Sequence, residues 1–86
     1  MSDTLGLLEE SRHLARELGY EIKEEPLGDL PGGPCQVGGR SRILLNIEHA
    51  PADHLAVLVA ALAADPRVPQ EPKSRLLADR LAQSRR

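Results

Sequence analysis

The chain has 86 residues, 41% hydrophobic and 28% charged, with a formal net charge of −2. One Tyr, one Cys and no Phe or Trp leave the core to Leu, Val, Ile and Ala. This length makes one domain over residues 1–86, and the composition excludes a multidomain enzyme, a disulfide scaffold, a disordered tail and an aromatic-stacking binder of single-stranded nucleic acid.

The first predicted element is a helix from Asp3 to Leu18. Leu7, Leu8, Ser11, Leu14, Ala15 and Leu18 fall on one stripe at helical spacing. Ser2, Asp3 or Thr4 can cap its first amides, and Gly19 suits the left-handed position that ends a helix. Tyr20 to Glu24 alternates apolar and polar, the pattern of a half-buried strand, and Pro26 ends it. Residues 26–34 hold three prolines and three glycines and read as a loop. Cys35–Val37 and Ile43–Ile47 read as two strands of a hairpin turned by Gly38-Gly39. Cys35 and Val37 share one face; Ile43, Leu45 and Ile47 face the core, with Leu44 on the other side.

A second helix is predicted from Pro51 to Ala64, opened by proline at its first position and by Asp53 near its positive end. From Leu55 onward it shows no polar face, so it is expected to be buried all round. A chain this short has little material for both faces, since small domains bury only about 60–65% of their unfolded surface. A partner subunit on one side is the economical solution, which predicts a homodimer. Asp65-Pro66 stops the helix, and Pro69 and Pro72 stiffen the connector. A third helix is predicted from Pro72 to Gln83, with Ser74, Leu77, Ala78 and Leu81 on one stripe and an arginine-rich opposite face. The expected fold is α+β: an N-terminal helix, a three-stranded, mostly antiparallel sheet with a Gly-Gly hairpin, a buried apolar helix and a basic C-terminal helix.

Charge is unevenly spread. Residues 1–30 hold eight acids and three bases, a net −5, whereas residues 31–86 hold five acids and eight bases, a net +3. The bland reading of the basic end is a solvated helix face; contact with an acidic partner is the alternative. No basic region followed by an apolar stretch opens the chain, so no signal peptide is expected. The ten-residue apolar run from Leu55 to Ala64 falls short of the roughly 20 residues that cross a membrane. A lone Cys35 fits the reducing cytoplasm. Arg outnumbers Lys nine to two, a bias resembling that of GC-rich bacterial genomes.

The side chains with chemical potential are Cys35, Asn46, His49, His54 and His13. A reactive thiol needs a neighbouring base or a helix N-terminus, and His49 and His54 flank the start of the second helix. A free cysteine is also a common core residue. His49-x4-His54 nominally fits zinc-ligand spacing, but Pro51 and a helix start lie between the two. Without a closed four-ligand set, neither a structural zinc nor another cofactor is expected. The glycines form no phosphate-loop motif, and Glu24 and Glu25, adjacent in a strand, point to opposite faces rather than forming an acid–base pair.

Leu14 to Ile22 resembles the helix, Leu-Gly, strand entry of ImmA/IrrE-type metallopeptidases, and Ile43-Leu44-Leu45-Asn46 resembles their strand ending in Asn. The same stretch is similar to small uncharacterised bacterial proteins with a Gly-Gly-x-Cys segment before a hairpin. The resemblance spans residues 14–62 and implies that a helix bearing H-E-x-x-H should follow. Here that helix reads His54-Leu55-Ala56-Val57-Leu58, so the water-activating Glu and the second zinc-binding His are missing, and no catalytic residue carries over. The sequence therefore favours a non-enzymatic cytoplasmic binding or interaction module, homodimeric, outside the membrane and not directed at nucleic acid. Cys35, Asn46, His49 and His54 are its candidate binding cluster. Two alternatives stay open: a small hydrolase or thiol enzyme using Cys35 with His49 or His54, and a nucleic-acid-associated protein using the basic C-terminal helix.

Overall fold

The computed structural model describes residues 3–85. In chain order it contains α1 (Thr4–Glu17), β1 (Glu21–Glu25), β2 (Gly32–Val37), β3 (Arg40–Asn46), α2 (Pro51–Ala63), a 3₁₀ turn (Val68–Gln70) and α3 (Arg75–Ser84). This is an α+β fold, and its helices pack on one face of a three-stranded sheet. No described helix is long and apolar enough to cross a membrane.

The predicted stripe of α1 is the buried one: Leu7, Leu8, Ser11, Leu14 and Ala15 all face the core. Asp3 occupies the N-cap without a side-chain capping bond, and Ser2 lies outside the described residues. At the other end Gly19, at φ 94°, reverses the chain. The Gly19 and Tyr20 amides donate to the Arg16 and Ala15 carbonyls, at 2.9 and 3.0 Å, which satisfies the last turn.

The sheet order is β1-β3-β2. β2 and β3 pair antiparallel through the predicted Gly38-Gly39 turn, with Cys35 opposite Arg42. β1 pairs parallel to β3, Glu21 opposite Arg42 and Glu25 opposite Asn46. The sheet is therefore mixed rather than mostly antiparallel, with one ladder of each kind. The cause is the 26–31 loop, which carries the chain from one edge of the sheet past the end of β3 to the other edge. β2 begins at Gly32, earlier than predicted. Gly32 sits at φ 90° against the Leu44 carbonyl, where a side chain would collide with backbone. Glycine lets the ladder start there. Pro34 is tolerated because β2 is an edge strand.

Ile43 and Leu45 are fully buried on the helix-covered face. Ile47, expected to join them, is 55% exposed, because β3 ends at Asn46 and the chain turns. In α2 the expectation of burial all round is also corrected. Leu55, Leu58, Val59, Ala61 and Leu62 are buried, whereas Ala52, Ala56 and Ala60 are exposed. The exposed face is apolar but small: an exposed methyl group leaves little apolar area in water. The helix itself therefore makes no demand for a partner subunit. α3 starts later than predicted. Ser74 rather than Pro72 opens it, its hydroxyl accepting from the Leu77 amide at 3.1 Å. Leu77 and Leu81 close the core from this side.

Candidate functional site

The junction between β3 and α2 collects three of the four residues of the candidate binding cluster. Asn46 is fully buried, although it stands at the end of a strand. Its side-chain amide donates to the carbonyls of Gly28 at 2.9 Å and Leu30 at 3.0 Å. His49 Nε2 lies 3.3 Å from the same nitrogen, whose two hydrogens are given to those carbonyls, and Asn46 Oδ1 accepts from the Glu48 amide at 3.1 Å. His54, buried on the first turn of α2, donates through Nε2 to the Asn46 backbone carbonyl at 2.6 Å. A carbonyl oxygen only accepts, so the His54 imidazole carries a proton on Nε2.

What this arrangement does is mechanical. Asn46 ties the 26–31 loop to the end of the sheet, and His54 ties α2 to the same residue. A buried amide that satisfies two loop carbonyls is costly to remove, and its hydrogen-bonding capacity is spent. His49 is half-buried beside it.

Cys35 does not join this group. It stands opposite Arg42, four residues before Asn46 on β3, or about 13 Å along the strand. It is half-buried in a groove of about 260 Å³ lined by Leu27, Leu30, Pro34 and Leu44, on the sheet face that the helices leave uncovered. A thiol–imidazole pair with His49 or His54 is therefore not formed. His13 lies apart from all of these, exposed on α1, 3.7 Å from Glu17 one turn later. Among the described residues no group of three or more His, Cys, Asp or Glu side chains is placed to hold a metal ion.

A second polar network escapes the sequence reading altogether. Asp65, read there only as a helix stop, is buried where α2 ends. It accepts from the Tyr20 hydroxyl at 2.8 Å and from Arg67 through the backbone amide at 2.8 Å, Nε at 3.1 Å and Nη2 at 2.7 Å. Arg67 Nη1 donates onward to the Leu18 carbonyl at 3.0 Å, and its guanidinium lies 5.9 Å from the centre of the Tyr20 ring. The Arg67 hydrogen bonds hold the Asp65 carboxyl well below the usual carboxylate range, against the opposing effect of burial. Burial and the bond to Asp65 push the Tyr20 hydroxyl up. One signal was available: the only aromatic residue of a chain needs a partner for its hydroxyl when it packs into the core. The network staples the end of α1 to the end of α2.

Comparison of the chain with protein-family models, with curated proteins and with solved structures returns no match.

Proposed function

We propose that this protein is a small non-enzymatic cytoplasmic interaction module that works through the uncovered face of its sheet, with a second copy of the chain as the occupant. The observation that carries this reading is the two-layer build. Helices cover one face only; the other presents half-buried Leu44 and Cys35, Val37 at 47% exposure and, on the adjoining loop, Leu30 at 65%. Neighbouring apolar side chains on an open sheet face are a recurrent association surface. Glu21, Lys23 and Glu25 on β1 and Arg42 on β3 share that face, so its charged flank contains both signs and does not repel a second copy. The homodimer expected from α2 is thus re-based on the sheet.

The chemistry of the side chains supports binding over catalysis. Asn46 and His54 are held in fold-stabilising bonds, and Cys35 has no imidazole at hand. The resemblance to ImmA/IrrE-type metallopeptidases adds no catalytic residue, because Leu55 and Leu58 stand where that family needs Glu and His. Of the bases at the C-terminal end, Lys73, Arg67 and Arg85, which flank α3, each donate to backbone carbonyls of the chain, which leaves Arg75 and Arg80 on the helix itself for nucleic-acid contact.

Sedimentation equilibrium at micromolar concentration tests the reading. The parent chain is expected to self-associate and Leu44→Glu to sediment as a monomer with an unchanged circular-dichroism spectrum. A parent that stays monomeric at every concentration overturns the homodimer.

A further inference from the structure

We infer that the cleft between the end of α1 and the β2–β3 hairpin is a binding site for a phosphoryl group. The cleft holds about 690 Å³ and is lined by Arg16, Gly19, Tyr20, Glu21, Arg40 and Ser41, among others. A space of roughly 300–1,000 Å³ suits a small molecule.

The arginines of the chain differ in whether their charge is already used. Arg12, Arg42 and Arg67 are each bound to a carboxylate, at 3.8, 2.7 and 2.7 Å, and Arg85 donates to a backbone carbonyl. The side chains of Arg75, Arg80, Arg16 and Arg40 make no hydrogen bond or ion pair among the described residues, and of these the cleft is lined by Arg16 and Arg40. They come from different elements, the last turn of α1 and the first residue of β3, and converge on one cleft. Two arginines lining one space supply the kind of donor set that a tetrahedral oxyanion accepts through paired N–H···O bonds.

The groups that would repel an anion there are already neutralised. The Glu21 carboxylate is held by Arg42 Nε at 2.7 Å. The Asp65 carboxylate beneath Tyr20 is held by Arg67. A helix C-terminus ordinarily carries partial negative charge. In α1 the Leu14, Ala15 and Arg16 carbonyls are occupied by the capping amides and the Leu18 carbonyl by Arg67 Nη1. The remaining lining is small or neutral: Gly19, Gly39 and Ser41 leave room for close approach.

An amide-detected NMR titration of the full chain at constant ionic strength tests the site, with inorganic phosphate in one arm and phenyl phosphate in the other. The expected result is saturable shifts at Gly19, Tyr20, Gly39 and Ser41. Arg16→Gln and Arg40→Gln should each weaken binding by about tenfold, the loss of one charge-assisted bidentate contact. Arg75→Gln, which removes an exposed arginine on α3, should leave it unchanged. Tighter binding of phenyl phosphate assigns the group to a small organic phosphate, and equal binding assigns it to the free anion; either result upholds the site. Shifts that fail to saturate, or that Arg75→Gln reduces as much as the cleft variants do, overturn it.

Discussion

Leu44 and Leu45 are adjacent, identical in type and on the same central strand, yet they live in different environments. Leu45 points into the helices with Ile43 and is fully buried. Leu44 points the other way, half-buried beside the Cys35 groove, on the face shared by Lys23 and Arg42. The strand period of two separates them completely. Hydrophobicity alone therefore says little about a leucine here. What covers each face of the sheet decides whether the side chain holds the fold together or is offered to a partner.

The covered face should give the largest effect. Leu45→Ala, or Leu58→Ala on the helix above it, should cost about 2–5 kcal/mol, the range for truncating a buried leucine. A small domain has only about 5–15 kcal/mol to lose, so denaturant melts should show a midpoint shifted far down or a partly unfolded chain. Arg75→Ala is the exposed reference and should stay within about 0.5 kcal/mol. Arg42, beside the hairpin turn, does not serve as one, since its Nε lies 2.7 Å from Glu21. A Leu45→Ala protein that melts like the Arg75→Ala protein would remove the distinction between the two faces.

Next in size come the polar anchors at the two ends of α2. Asp65→Asn should cost about 1–3 kcal/mol at neutral pH, the worth of hydrogen bonds to a buried charged group. It should also change the pH dependence. The native Asp65 carboxyl is held low, so its stabilising contribution is complete above the ordinary carboxylate pKa of about 4 and is lost progressively as pH falls below it. Tyr20 acts at the other limit: its native pKa is raised, so its contribution is present below about 10 and declines as pH rises beyond that. Thermal melts between neutral and acidic pH should therefore be steeper for the parent than for Asp65→Asn; identical slopes would show that the staple adds nothing. Asn46→Ala should cost about 1–3 kcal/mol, because it strands the Gly28 and Leu30 carbonyls. Hydrogen exchange should show faster opening of residues 26–31 with the β2–β3 ladder kept, and uniform acceleration across the chain would argue against a local anchor.

These anchors mark the boundary of what the sequence reveals. The helix stripes, the Gly38-Gly39 turn and the opposite facing of Leu44 and Leu45 are periodic, short-range features, and periodicity exposes them. The parallel pairing of β1 with β3 is not legible, because a six-residue loop can serve either an adjacent hairpin or a crossing past a third strand. Tyr20 and Asp65 meet across 45 positions, with nothing local to announce the contact. The cluster of Cys35 with the histidines divides for a related reason. β3 carries Asn46 away from Cys35 at about 3.3 Å per residue, so closeness along the chain becomes distance along the sheet. In α2 a hydropathy count treats alanine and leucine as equivalents, whereas packing places the leucines inward and leaves Ala52, Ala56 and Ala60 in water.

The smallest expected effect is also the sharpest test of the comparison. Leu44→Ala should cost less than about 1 kcal/mol in dilute solution, since the side chain is already partly in water in the groove it lines with Cys35 and Leu27. That cost should depend on protein concentration. An interface that forms only between folded chains adds stability by mass action, and the addition grows as concentration rises above the dissociation constant. If a second copy occupies the open face, the gap between parent and Leu44→Ala melting temperatures widens with concentration. The gap for Leu45→Ala should follow a different course: its loss is a loss of core packing, present at the lowest concentration measured. A Leu44→Ala gap that stays constant from dilute to concentrated solution would mean that the uncovered face meets only solvent, and the homodimer would lose its support while the account of the covered face stood.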